Sequence, residues 1–420
     1  MKNKSAYHWL VAFTGFVCIF MASGVCNTSF STVSVYLFDF WGISNTVYGT
    51  MVSVRTFASV AGIAFVAVYY RNLSYRWGLA LSMLFGAVGW VFFWSGSGRV
   101  FMGYLGSILL GLCRGIGGSV AVTILIDRWF SKYKGALIGI CMAASGLATS
   151  IMPKILVPVV ENYSLTTYFL FMIAIFTAVA AFIAAAVRDD PKRMNLRPYG
   201  DGELSGENQR KKTRPHDYAA GPRELILLYI SSVFISATLT IFTNFNSAAL
   251  KTLGWEAVDI ADVTFWFGIF LMASKPIYGF MCDRFRPEYI VCGGICMSAL
   301  GTFMMSFDQM HFYGKAWVVL SFLIWSGGAP GSSAGFGIYA MDLAPKEAYA
   351  AVVKNQTLIW NISNMILSPI SGGLADMFGS YRALMYIMTG ISVLHAVTMW
   401  VVYRGARGHY QSLHTTTGYS

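Results

Sequence analysis

The chain predicts an all-α membrane protein of twelve transmembrane helices arranged as two pseudo-symmetric six-helix bundles. Three observations predict it. Of 420 residues, 56% are hydrophobic and only 12% are charged, with a mean hydropathy of +0.57; a soluble domain carries about 25% charged residues. Apolar runs long enough to cross a hydrocarbon layer of ~30 Å recur twelve times. One long hydrophilic break, residues 188–223, divides them six and six.

The runs fall at 8–38, 46–70, 74–94, 100–126, 135–160 and 166–187, then at 225–250, 258–281, 289–306, 316–340, 348–375 and 383–402. The first begins near Trp9 and passes Met21 without a small-residue cleavage site, so it reads as a retained helix and not a removable signal. The break holds the basic run Arg210-Lys211-Lys212-Thr213-Arg214 and reads as a solvated linker. The expected organisation is a first bundle over 1–187, a linker over 188–223, a second bundle over 224–403 and a tail over 404–420.

Lysines and arginines set the expected orientation. With the N-terminus inside, twenty-one fall on inner segments; only Arg99, Lys251, Lys315 and Arg382 fall outside. That bias places both termini in the cytoplasm of a multi-pass cell-membrane protein. The net charge of +11 is then an orientation device, not a nucleic-acid surface. Contact with anionic lipid is a second role open to the central basic run. The seven cysteines form no CxxC pair and the six histidines are scattered, so neither a metal nor another cofactor is expected. The chain also shows no catalytic triad and no paired carboxylates, so an enzyme is not expected.

Chemistry then rests on charges inside the spans. The stretch 266–286 is an apolar helix carrying Lys275, Pro276 and Gly279 before the polar stop Asp283-Arg284. At ~1.5 Å per residue, Lys275 lies about 12 Å from Asp283, near mid-membrane if Asp283 marks the surface. A charge at that depth is expected to face protein or a watery cavity. Pro276 leaves the Met272 carbonyl without its helical donor. Arg55 and Arg114 are the other deep cations; Lys154 and Lys354 fall nearer helix ends, where long side chains reach water. The acids Asp39, Asp127, Asp259, Asp262, Asp283, Asp342 and Asp376 cluster at helix ends, leaving an excess of deep positive charge.

Asn244, Asn246, Asn361, Ser363 and Asn364 can orient an anion by hydrogen bonds, or bond helix to helix. Phe242, Trp266, Trp325 and Trp360 can wall a cavity, or pack and anchor. The halves echo each other: 115–127 and 328–342 are both small-residue helices ending in Asp, about 214 residues apart. Small residues suit helices that pack closely or slide.

These motifs resemble the major facilitator superfamily. Gly279, Asp283 and Arg284 look like the loop signature G-x-x-x-D-R/K-x-G, with Arg286 where the last glycine is expected. The first-half counterpart, residues 70–76, keeps basic residues without the Gly and Asp. Arg114 followed by Gly118 is similar to the fourth-helix R-x-x-x-G. A narrower resemblance is to the oxalate/formate antiporter and monocarboxylate transporter branch. It is carried by Ser23-Gly24-Val25, by Arg128-Trp129-Phe130 with Lys134-Gly135-Ala136 and Gly139, and by Lys275-Pro276 with Gly279. Trp360 resembles an eleventh-helix aromatic of that branch, and Ser363 stands where the oxalate exchanger carries a second cation.

The resemblance implies a monomeric carrier of small organic anions, mono- or dicarboxylates, working by alternating access through exchange or facilitated diffusion. Lys275, Arg114, Arg55, Trp360, Asn244 and Ser363 would meet substrate; Gly279, Asp283 and Arg284 would belong to the gating loop. Two other readings stay open: proton-coupled movement of a neutral or amphiphilic compound, and a non-transporting membrane receptor or scaffold.

Overall fold

Long apolar runs without backbone partners outside themselves can satisfy every amide in a membrane only as helices, and helices are what form. The computed structural model describes residues 2–96, 98–189, 191–194, 196–200, 218–307, 310–332, 334–345 and 348–416. The basic run of the linker, 210–214, lies outside them.

The first six spans are built from α1 (Lys2–Ile19), a π-helical turn (Phe20–Val25) and α2 (Cys26–Trp41), then α3 (Asn45–Asn72), α4 (Tyr75–Gly96), α5 (Val100–Gly117) with α6 (Ser119–Trp129), α7 (Lys134–Asn162) and α8 (Leu165–Ala186). The next six are α9 (Pro222–Asn244) with α10 (Asn246–Thr252), α11 (Ala257–Arg284), α12 (Pro287–Ser306), α13 (Met310–Ser326) with α14 (Ala334–Leu343), α15 (Tyr349–Phe378) and α16 (Arg382–Thr416). Ser44 and Ser164 cap α3 and α8, each accepting from the amide three residues on. Among the described residues, ten of these spans are long and apolar enough to cross a membrane. The α13–α14 span and α15 are the exceptions. α13 has 17 residues. α15 carries Lys354, Asn355, Gln356, Asn361, Ser363 and Asn364 along its length.

The chain divides into two compact units: residues 1–209 with 255–272, and 210–254 with 273–420. This differs from the division at the linker, because the first half of α11 clusters with the first unit. The reason is local. A Cβ on Gly268 would fall 2.3 Å from the Ser150 amide nitrogen, so α7 and α11 touch backbone to backbone. Lys154 of α7 also pairs with Asp262 of α11.

Within the first unit, α3, α4 and α5 pack through small residues. A Cβ on Gly111 would meet the Arg55 carbonyl at 2.2 Å, and one on Gly115 the Ser59 carbonyl at 2.3 Å. The segment after α8 folds back on its own bundle: Tyr199 donates its amide to the Trp129 carbonyl, and its carbonyl accepts from Ser131 and Lys132. His8, Phe130 and Tyr199 close over this clasp with ring centroids about 6 Å apart. The Arg128-Trp129-Phe130 signature therefore has a packing role: Trp129 and Phe130 are fully buried, and the Arg128 guanidinium lies 4.3 Å over the Tyr75 ring.

Within the second unit, Ala220 donates its amide to the Leu343 carbonyl and Ala219 to that of Ala406. Tyr218 donates its hydroxyl to Glu288 at 2.7 Å. Burial, reinforced by that carboxylate, pushes the Tyr218 hydroxyl above its usual range, so it remains a donor at neutral pH. The expected tail from 404 is helical as far as Thr416, because α16 continues without a break. Met399, Val402, Tyr403 and Ala406 remain buried along its inner face.

Candidate functional site

In the first unit, two backbone irregularities meet beside one cation. The opening span leaves α-helical geometry at Phe20–Val25. A Cβ on Gly24 would fall 2.3 Å from that of Ala148, so α7 presses directly on this turn. π-turns inside α-helices recur at functional positions. The fourth span breaks at Gly118 (φ −87°, ψ −146°), between α5 and α6. A Cβ there would strike the Arg114 carbonyl at 2.3 Å and sit 3.3 Å from the Ser23 hydroxyl. The break and the π-turn are therefore neighbours, and α6 begins with no side-chain cap on its first amides.

Arg114 lies in the last turn of α5, four residues before the break. It is half-buried, and among the described residues it makes no hydrogen bond or ion pair. Arg55 contrasts with it. At 1% exposure, Arg55 donates to the Cys26 carbonyl at 3.1 Å and to Asn27 Oδ1 at 3.0 Å. Its guanidinium also lies 4.4 Å from the centre of the Phe30 ring. The glycine contacts at Gly111 and Gly115 press α5, which carries Arg114, directly against the α3 backbone that carries Arg55. An anion beside Arg114 would fill its open donors.

In the second unit, Lys275 is half-buried in α11, which runs through Pro276 unbroken. Span seven is interrupted at Phe245 (φ −121°, ψ 8°), between α9 and α10. Asn244, at that break, donates to Asn364 Oδ1 of α15 at 3.2 Å, and the Ser368 hydroxyl reaches the same oxygen at 3.1 Å. Asn244 thus joins helix to helix. Asn246 accepts from Ser247, and Asn361 donates to the Thr357 carbonyl in its own helix. Ser363 is buried at 9% exposure. Trp360 is half-buried, and its indole nitrogen is buried without an acceptor among the described residues. Phe242 stacks on Trp325 at 4.4 Å, which is core packing; Trp266 is 48% exposed.

Of the loop motif, a Cβ placed on Gly279 would meet no described atom within 4 Å, Arg284 is exposed, and the Asp283 side chain lies outside the described residues. Lys354 is exposed.

Sequence reasoning did not find Gln356. It lies one helical turn before Trp360 and is 0% exposed, and both of its amide atoms lack a partner among the described residues. Leaving such a group unmatched costs about 1–3 kcal/mol, so the position calls for a bound water or ligand. Its signal was a glutamine inside an otherwise spanning helix. The π-turn was also missed, although the Ser23-Gly24-Val25 motif lies within it.

Comparison with known proteins agrees with this architecture. The sequence profile described as Major Facilitator Superfamily matches residues 13–353 and 228–417. The multidrug efflux pump SdrM of Staphylococcus aureus (strain N315) is 24% identical over 169 residues, which is 39% of this chain and 34% of that pump. The chain therefore matches only about a third of the length of that relative. Among solved structures, the nucleoside transporter NupG superposes with a TM-score of 0.70 at 14% identity, covering 94% of this chain and 99% of that one. The inward-open conformation of the xylose transporter XylE from E. coli gives 0.69 at 14% identity, covering 94% and 95%. At these identities the likeness is one of fold.

Proposed function

The chain belongs to the Major Facilitator Superfamily, and from that premise we propose that it carries small organic anions, mono- or dicarboxylates, by alternating access. The observation that carries the reading is Arg114: a half-buried guanidinium at a helix break, with no acid or hydrogen-bond partner among the described residues. Arginine stays charged in almost any protein site, so it cannot relieve this by losing a proton. A carboxylate would supply the missing charge and accept two parallel hydrogen bonds.

Lys275 is the second proposed cation, contributed by α11. Trp360, Ser363 and Gln356 would offer hydrogen bonds and an apolar wall from α15. Arg55, held by Cys26 and Asn27, would add positive potential for the anion, and Asn244 sets the spacing of α9 and α15. Gly279, Asp283 and Arg284 are proposed for the loop that moves when the bundles rock. Asp and Glu fall at span ends, which favours exchange or facilitated diffusion over a carboxylate proton relay. Both termini face the cytoplasm in this reading, and one chain suffices for transport.

The test is carboxylate uptake into proteoliposomes by the wild type, Arg114→Gln and Lys275→Gln. Loss in both variants supports the reading; undiminished uptake in both removes it. A second reading, proton-coupled movement of a neutral or amphiphilic compound, is favoured by the partial similarity to SdrM and by the uncharged Gln356. Uptake that is driven by a pH gradient and indifferent to carboxylate competitors would select it. No observation favours a non-transporting receptor.

A further inference from the structure

The C-terminal part of α16 and the start of α12 line an open cavity of about 290 Å³ that plays no part in the transport reading. Its walls include Glu288, Tyr289, Trp400, Arg404 and Arg407. Glu288 is 5% exposed and already heavily used. Tyr218 donates to one of its oxygens at 2.7 Å, while Arg286 and Arg407 lie 3.8 and 3.7 Å from the other. One carboxylate thus serves two arginines and a phenol.

Arg404 has no share in it. It is exposed, makes no ion pair among the described residues, and holds its guanidinium 4.8 Å over the Trp400 ring. Tyr289 lies 5.9 Å from the same indole. Arg404 and Arg407, three residues apart on one helix, present their side chains to the same side. Arg286, Arg404 and Arg407 outnumber Glu288 and Asp342, the latter bonded behind the wall residue Tyr403, and leave a local charge of +1.

Trp and Tyr at the end of a span mark the level of lipid headgroups. A concave basic site at that level, floored by an aromatic ring, matches a phosphodiester whose acyl chains remain in the bilayer. We propose that this cavity binds the phosphate of an anionic phospholipid, with Arg404 as its free bidentate donor and Arg407 as its second cation. The buried Glu288 holds Arg407 in place. Zwitterionic lipid gains less, because its ammonium meets the arginine pair.

The experiment uses the full-length purified protein in neutral detergent. Phosphatidylglycerol, phosphatidylcholine or inorganic phosphate is added, and bound lipid is followed by native mass spectrometry and melting temperature. Phosphatidylglycerol should remain bound and raise the melting temperature; phosphatidylcholine should not. Arg404→Gln should weaken phosphatidylglycerol binding about fivefold, and the double change with Arg407→Gln more than twentyfold, at roughly one such factor per basic residue. Arg404 is exposed, so its variant should fold normally. Arg71→Gln, an exposed arginine elsewhere, controls for general attraction and should leave binding unchanged. The proposal is overturned if Arg404→Gln binds phosphatidylglycerol as tightly as the wild type, if Arg71→Gln loses as much, or if inorganic phosphate alone gives the full shift.

Discussion

Replacing Arg114 with Gln should separate binding from folding in one measurement. A carboxylate about 4 Å from the guanidinium, at an effective dielectric of ~20, interacts with roughly 4 kcal/mol. Arg114 is only half-buried, and the substrate must shed water to reach it, so about 2–3 kcal/mol should survive. That is a 30- to 150-fold rise in the KM or Kd for carboxylate. Stability should behave in the opposite way. Arg114 makes no hydrogen bond or ion pair among the described residues, so the variant should melt at the same temperature as the wild type or higher. Arg55→Gln is the matched comparison. It gives up bonds to Cys26 and Asn27 and the contact with Phe30, so it should lose roughly 2–4 kcal/mol of stability. The assay is carboxylate uptake in proteoliposomes alongside melting curves with and without carboxylate. An Arg114→Gln protein that transports normally, or one that unfolds, would refute the reasoning.

Four further outcomes follow from the same geometry. Lys275→Gln should reduce carboxylate uptake at least tenfold while Lys275→Arg retains part of it, both read in the same liposomes. Gln356→Leu should raise the melting temperature by removing two unmatched amide atoms, worth about 1 kcal/mol or more; if the amide meets substrate, KM should rise with it. Gly24→Ala would drive a methyl into Ala148, so it should cost about 1–3 kcal/mol and slow transport, measurable by thermal shift and initial rates. Tyr218→Phe leaves buried Glu288 without its closest donor and should cost about 1–3 kcal/mol, seen as a lower melting temperature with no change in substrate KM.

The twelve spans were legible because membrane crossing imposes length and apolarity, which composition records directly. Even the two exceptional spans were found: α13 and α14 form one apolar run in the sequence, and α15 is bounded by Lys346 and Gly379 with its polar residues interspersed. Unit boundaries were less legible. The first half of α11 joins the first unit through Gly146, Gly268 and the Lys154–Asp262 pair, contacts far apart in sequence. Among the deep cations, sequence supplied depth but not partners. Arg55 and Arg114 read alike on paper; Asn27 and the Cys26 carbonyl hold the first and not the second. Gln356 went unread because one glutamine in a helix carries no pattern, only a location.

The echo between halves sharpens the case for an asymmetric site. The break at Gly118 has a counterpart about 214 residues on, where a short 3₁₀ turn, Ala329–Ser332, separates α13 from α14. The same interruption of the same span in both halves suits a duplicated scaffold. The charges were not duplicated with it. The position matching Arg114 falls at Gly327-Gly328, where a Cβ on Gly328 would strike the Gly294 carbonyl at 2.3 Å; that neighbour is too close for any side chain, let alone an arginine. The position matching Lys275 falls at Ala61-Gly62, where a Cβ on Gly62 would already meet the Gly115 backbone at 3.2 Å. Packing therefore denies an arginine to the symmetry mate of Arg114, while the mate of Lys275 is a small residue, Ala61, with no charge of its own. Exchanging them, with Arg114→Gly and Gly328→Arg together, should unfold the second bundle rather than transfer the site. A stable double variant that retained carboxylate uptake would show that the cations are interchangeable, and the asymmetric reading would fail.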